Sequence, residues 1–226
     1  MLSSVRSYYM IHTDNMTVID TRYYAKEFPD AEKVNPVLLD LYKSEKDQQV
    51  EDLKKGIRKD YPWRFFLDQR DKVKEVDTLL TWIESCVPKL SFDLSQTTMP
   101  DLAAEPYLEQ SKEWDRSKGI FPWGGGGECG FDPYGFEIMD AWGMYYFKGE
   151  GIQKHNHFPF PIAFVYYVNT PEGCSSVILE DMQLDPEAGQ ILFFEGHLWH
   201  EVPGAPVDGR CVISGLISYS NHRFKK

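Results

Sequence analysis

Lys154-His155-Asn156-His157, running on into Ile162-Ala163-Phe164-Val165-Tyr166-Tyr167-Val168, is the stretch on which the reading of this chain turns. The apolar run is rich in β-branched and aromatic residues and is bounded by turn formers, which marks a strand. Further runs of the same texture lie on either side: Phe136 to Phe147 before it, and Ser176 to Leu179, Gln190 to Phe194 and Cys211 to Tyr219 after it. Gly- and Pro-bearing turns separate them at Lys148 to Gly151, Asn169 to Gly173, Asp185 to Gly189 and Pro203 to Pro206. Short strands at this spacing, with no helical pattern between them, predict an antiparallel double sheet, either a sandwich or a barrel.

Upstream the pattern changes. Asn35-Pro36 reads as a helix start, with Asn as cap and Pro in the first turn. Val37, Leu38, Leu41 and Tyr42 then form an apolar face, and the charged run Lys43 to Lys59 continues as a solvated helix until Tyr61-Pro62-Trp63 breaks it. The next helix is the clearest: Val73, Val76, Leu80, Ile83 and Val87 recur at steps of three and four until Pro88. Such a stripe covers a sheet face. Residues 1–30 mix aromatics with charges and give no firm period. The expected organisation is one domain over 1–226. It comprises helical support over 30–90, a long loop or lid over 91–134 and a β core over 135–220.

The chain has 226 residues, 15% of them aromatic, and a formal charge of -11. That charge argues against a protein that grips nucleic-acid phosphates over a broad surface. No apolar run approaches the ~20 residues of a membrane helix. Met1 to Asp14 shows no basic stretch followed by an apolar one, and Cys86, Cys129, Cys174 and Cys211 form no Cys-x-x-Cys pair. They read as free thiols, and the expected location is the cytoplasm. Gly125-x-Gly127-x-x-Gly130 matches a dinucleotide fingerprint in letters only. Pro122-Trp123 precedes it and Phe131-Asp132-Pro133 follows, where that motif needs a strand and a helix.

The chemistry concentrates around the opening stretch. Residues two apart on a strand project to the same side, so His155 and His157 share a face. His200 follows the Ile191 to Phe194 strand in a turn that brings it alongside. Three convergent neutral imidazoles suit iron, zinc or copper. For any single histidine a surface or hydrogen-bonded core role is the plainer reading; it is the three together, on neighbouring strands, that favour a metal. His197 competes with His200. His12 and His222 have no partners in the pattern, and Glu180, Asp181 and Glu195 are spare carboxylates expected at the rim.

These pieces resemble the iron(II)/2-oxoglutarate-dependent oxygenases, in particular the prolyl-hydroxylase-like branch with its phage and bacterial relatives. The matching residues are His155 and His157, Val165 to Tyr167, Ile191 to Phe194, His200 to Val202, and Arg210 with Ser214 and Tyr219. They span about residues 136–220, a little over a third of the chain. The resemblance implies a double-stranded β-helix, the jelly roll shared with cupins, buttressed here by the N-terminal α-helices. It implies that His155, His157 and His200 bind Fe(II). Arg210, ten residues past His200, then pairs with the far carboxylate of 2-oxoglutarate. Tyr167 matches a tyrosine that hydrogen-bonds that carboxylate, with Tyr145 as second choice, and Ser214 matches a hydroxyl lining the same pocket. Fe(II), 2-oxoglutarate and dioxygen are the implied cofactors. The implied reaction is hydroxylation of a peptide or small-molecule substrate, with a prolyl side chain as first expectation.

Two residues depart from the resemblance. Most of the family has Asp or Glu where this chain has His157, although phage-type relatives read His-x-His. The Arg-x-Ser of many relatives is also absent, since Val212 fills that place. Two other readings stay open: a cupin-like metal protein that does not use 2-oxoglutarate, and a non-catalytic jelly-roll binding or structural protein. Gly149, His155 and His157 have the first cupin spacing, but the glutamate expected next is missing, and Arg210 has no task in that reading.

Overall fold

The computed structural model describes residues 11–13, 16–20, 23–57, 61–87, 136–158 and 160–219, with 11–13, 16–20, 136, 218 and 219 described by backbone only. The expected lid over 91–134, the Gly125–Gly130 motif, Cys129 and His222 lie outside the described residues. So does the side chain of His12.

Among the described residues, eleven strands form two antiparallel sheets. Near the start are β1 (Ile11–Thr13), β2 (Met16–Asp20) and β3 (Tyr23–Glu27). The β core follows the helices: β4 (Phe136–Tyr146), β5 (Ile152–His155), β6 (Ile162–Asn169), β7 (Val177–Leu179), β8 (Met182–Leu184), β9 (Gln190–Glu195), β10 (His200–Val202) and β11 (Arg210–Tyr219). The larger sheet runs β1-β2-β3-β9-β6-β11-β4 and the smaller β5-β10-β7-β8. From β4 to β11 the chain passes back and forth between the two, and this winding is a double-stranded β-helix.

Among the described residues, three helices cover the outer face of the larger sheet: α1 (Ala31–Lys54), α2 (Phe65–Gln69) and α3 (Lys74–Cys86). The sheet is therefore buried on both sides, and this explains the near-continuous apolar runs of β6 and β9. Ile162, Phe164, Tyr166, Ile191, Phe193, Ile213 and Ile217 face the helices and join Leu38, Tyr42, Leu80 and Ile83 in one core. Ala163, Tyr167, Leu192, Phe194, Val212 and Leu216 face the smaller sheet and pack with Leu179 and Val202. Each fully buried large apolar side chain adds roughly 1.5–3 kcal/mol.

The α3 stripe appears as expected, with Val76, Leu79, Leu80, Ile83 and Cys86 buried. α1 begins earlier than the Asn35-Pro36 cue suggests. Asp30 precedes it and Pro36 lies inside it, while its buried face is Val34, Leu38 and Tyr42. Asn35 does not cap a helix: its Oδ1 accepts a hydrogen bond from the Tyr166 hydroxyl at 2.5 Å, tying α1 to the sheet.

One irregularity in β4 matters for the site. Leu216 on β11 faces Asp140 but the next residue, Ile217, faces Ile138, so Met139 is bulged out of register. The extra residue changes which face follows. Ile138 joins the core beneath the helices, while Asp140 lines the space between the sheets. The Arg64 guanidinium donates to the Met139 carbonyl through Nη1 and marks the bulge from outside.

Candidate functional site

Between the two sheets lies a cavity of about 900 Å³, lined by every site candidate from the sequence except Tyr145. His155 ends β5 and His200 begins β10, and the two sit directly opposite one another in the ladder. β7 flanks His200 on its other side through Leu179. His200 is thus on a central strand of the smaller sheet, rather than in the turn expected from sequence. His157 lies just beyond β5, so its direction comes from the loop and not from strand alternation. The loop is held by hydrogen bonds from His157 N to Gly196 O at 2.7 Å and from Phe160 N to His157 O at 2.9 Å. Gly196 is required there, because a Cβ would run into the Phe160 carbonyl.

One ligand atom from each of His155, His157 and His200 lies within 4.8 Å of the other two. The ring centroids are 4.3 Å apart for His155 and His200, 4.9 Å for His157 and His200, and 5.0 Å for His155 and His157. Two of the rings have their tautomer set by the backbone. His155 Nδ1 lies 2.8 Å from Gln153 O, and His200 Nδ1 lies 3.0 Å from Leu198 O. A carbonyl only accepts, so Nδ1 carries the proton and Nε2 keeps a free lone pair for a metal. Burial, then the neighbouring His200 and His155, lowers the His157 pKa to about 3. Burial also lowers His200 to about 4, against the opposing pull of Leu198 O. Both are therefore neutral at pH 7, as ligands must be. This donor set fits a borderline divalent metal such as iron(II).

His197 and the spare carboxylates stand outside the triad. His197 Nδ1 is 3.4 Å from Glu195 Oε2, and among the described residues no carboxylate joins the three imidazoles. Glu180 has a different use. Its backbone N donates to Trp199 O and its Oε1 accepts from Trp199 N, both at 2.7 Å, fixing the residue before His200. It does so at φ 55°, a left-handed conformation that costs a non-glycine residue free energy.

Arg210 is 1% exposed, and among the described residues its Nε and Nη1 have no hydrogen-bond partner. Its guanidinium carbon lies 5.2 Å from the Tyr146 ring centroid and 5.5 Å from that of Tyr167. Burial raises the Tyr167 pKa to about 12 while the Arg210 charge pulls it down, so the phenol stays protonated. By hydrogen-bond geometry the Tyr167 hydroxyl is also without a partner among the described residues. A buried cation with unused donors, beside an unused hydroxyl, is costly unless an anion fills the gap.

The rows of the larger sheet explain which residues meet. Arg210 faces Tyr146, Val212 lies between Met144 and Tyr167, and Ser214 between Trp142 and Val165, all lining the cavity. Tyr145, the second-choice tyrosine, is one residue out of phase. It packs against the helix-side core, so its neighbour Tyr146 lines the cavity instead. Sequence reading missed Tyr146, since only its register opposite Arg210 marks it. Trp142 was missed as well; its ring meets that of His157 edge-on at 5.8 Å.

No protein-family model and no curated protein matches the chain. Solved structures do match it. A Pseudomonas putida prolyl-4-hydroxylase aligns with 88% of this chain and 86% of its own, at 16% identity and a TM-score of 0.39. The viral collagen prolyl hydroxylase of Paramecium Bursaria Chlorella virus-1 aligns at 13% identity and TM-score 0.34, over 38% of this chain and 60% of its own. An oxidoreductase of the 2OG-Fe(II) oxygenase family from Burkholderia pseudomallei aligns at 14% and 0.34, over 38% and 48%. The chain thus covers under two thirds of the last two. The resemblance is one of fold. What the site does depends on its own residues.

The three free cysteines among the described residues, Cys86, Cys174 and Cys211, take no part in the triad. Among those residues no helix is long and apolar enough to cross a membrane.

Proposed function

We propose that this chain is an iron(II)- and 2-oxoglutarate-dependent dioxygenase that hydroxylates an organic substrate, such as a peptide side chain. The observation that carries the reading is a buried Arg210 with unpartnered Nε and Nη1, lining the same cavity as three convergent imidazoles. A metal alone gives Arg210 nothing to do. A 2-oxo acid gives it a carboxylate.

In this reading His155 and His200 would hold the iron through Nε2, and His157 would supply the third imidazole. Three protein ligands leave room for a chelating cosubstrate and dioxygen. When bound, iron(II) and 2-oxoglutarate supply the oxidising chemistry: 2-oxoglutarate becomes succinate and carbon dioxide, and one oxygen atom of dioxygen leaves in the hydroxylated product. The protein's residues bind and orient. Arg210 offers a charge-assisted, two-pronged grip to the distal carboxylate, and the protonated Tyr167 hydroxyl donates a further hydrogen bond. Tyr146 supports the guanidinium from its other side, and Ser214 lines the path between it and the triad. Val165 and Val212 keep the cavity wall beside Ser214 apolar and exclude water.

The test is an anaerobic titration with iron(II) and then 2-oxoglutarate, following the visible chelate charge-transfer band. The band is expected to form in the native chain. In Arg210→Ala it needs far more 2-oxoglutarate, while iron still binds. An unchanged 2-oxoglutarate affinity in that variant would overturn the cosubstrate assignment. Succinate formation separates this reading from a metal protein that does not use 2-oxoglutarate.

A further inference from the structure

The same cavity carries a second constellation that the oxygenase chemistry leaves without a task. The break between α1 and α2, Tyr61-Pro62-Trp63, hangs two rings over its mouth, with Tyr61 39% and Trp63 53% exposed. The Tyr61 hydroxyl donates to Gly143 O at 2.8 Å and so is anchored to β4. Tyr61 and Trp63 lie 4.7 Å apart, and Trp63 meets Trp142 edge-on at 5.0 Å. Since Trp142 in turn touches His157, a file of rings runs from the surface to the triad.

Asp140 lines this cavity, turned inward by the Met139 bulge. Its one ionic neighbour among the described residues, Arg64, stays 3.8 Å away and gives Nη1 to the Met139 carbonyl. Among those residues no hydrogen bond reaches the Asp140 carboxylate. We propose that Tyr61, Trp63 and Asp140 recognise a cationic substrate group, an ammonium or guanidinium. In this site the cation rests on the rings, paired with the carboxylate, and the adjoining carbon chain points toward the triad.

Aromatic rings alone accept any apolar or flat group. The carboxylate makes the difference, because a neutral ring such as proline would cover Asp140 and desolvate it without supplying a hydrogen-bond donor. A cation instead gains a charge-assisted hydrogen bond and the attraction of the ring faces. The chain's charge of -11 favours the approach of such substrates. Only the placement of the reacting carbon rests on the oxygenase reading; recognition of the cation does not.

The test therefore uses the metal-free full chain and its tryptophan fluorescence. The probes are Nα-acetyl-lysine amide, Nα-acetyl-arginine amide and the neutral Nα-acetyl-norleucine amide. Either cation is expected to bind about tenfold more tightly than norleucine, as one charge-assisted contact provides. The tighter of the two identifies the head group. Asp140→Asn, which keeps the shape, is expected to erase the preference for charge. Trp63→Ala, at an exposed position, is expected to weaken all three probes. Equal binding of norleucine, or an undiminished preference in Asp140→Asn, would overturn the proposal. Absence of the iron chelate band would instead strike the oxygenase reading and leave this titration untouched.

Discussion

Replacing Arg210 by methionine separates the cost of that side chain from its use. Two guanidinium nitrogens, Nε and Nη1, are buried without partners among the described residues. Each unmet donor costs roughly 1–3 kcal/mol. The rings of Tyr146 and Tyr167 offset part of this, but at 5.2 and 5.5 Å they are near the outer reach of a cation–π contact, worth about 0.5–2 kcal/mol each. Methionine has a similar length, fills the space and leaves no polar atom stranded. Arg210→Met is therefore expected to stabilise the ligand-free protein by on the order of 1–2 kcal/mol, in keeping with other buried charges replaced by apolar residues. The midpoint of thermal unfolding should rise by about 2–4 °C per kcal/mol. Adding 2-oxoglutarate with metal reverses the order. The native chain gains about 2.7 kcal/mol at a hundredfold excess over Kd, whereas the variant gains almost nothing. Paired thermal scans, with and without 2-oxoglutarate, would show the two curves cross. An Arg210→Met protein less stable than native in the absence of ligand would mean that the guanidinium is already satisfied, and the inference of an anionic occupant would collapse.

Further outcomes follow from the same geometry. His200→Ala should abolish stoichiometric iron binding while circular dichroism stays native, since the other two imidazoles cannot close the site alone. His157 and His200 have folded pKa values of about 3 and about 4, below the 6.5 of an unfolded histidine. The unfolded chain thus binds more protons between those limits, and metal-free stability should fall as pH drops from 6.5 toward 4. Denaturant midpoints across that range would check it, and a flat profile would contradict the burial. Gly196→Ala should displace the loop that carries His157, because its Cβ meets the Phe160 carbonyl. A metal affinity lowered at least as much as stability, read by titration and melting, is the expected signature. Glu180→Ala should weaken metal binding severalfold and Glu180→Gln should restore it, since an amide oxygen can still accept from Trp199 N.

Much of this was legible in the sequence because it lay in long or strongly patterned elements. The α3 stripe and the five longer runs of β texture needed no tertiary information. Arg210 stood out by its distance from His200. Two of the shortest strands did not show: β5 has four residues and β10 three, too few to display alternation. Yet they hold His155 and His200. β1 to β3 were hidden among mixed charges and aromatics, and their place comes from pairing with β9, some 170 residues away in sequence. The choice between Tyr145 and Tyr146 was invisible for another reason. A sheet covered on both faces has no polar side to give the phase, and only the register with Arg210 fixes it. The helix cue at Asn35-Pro36 misled because the Asn35 amide is engaged with Tyr166 across the core.

The two-sided burial of the central sheet gives mutational data a rhythm. Along β6, Phe164 and Tyr166 support the scaffold beneath the helices, while Ala163, Val165 and Tyr167 face the smaller sheet and the cavity between. Along β11 the same beat separates Ile213 from Val212 and Ser214. A saturation library scored once for folded yield and once for turnover should split neighbouring positions into opposite columns. The chemistry can then drift toward new substrates on every second residue, while the residues between them keep the fold.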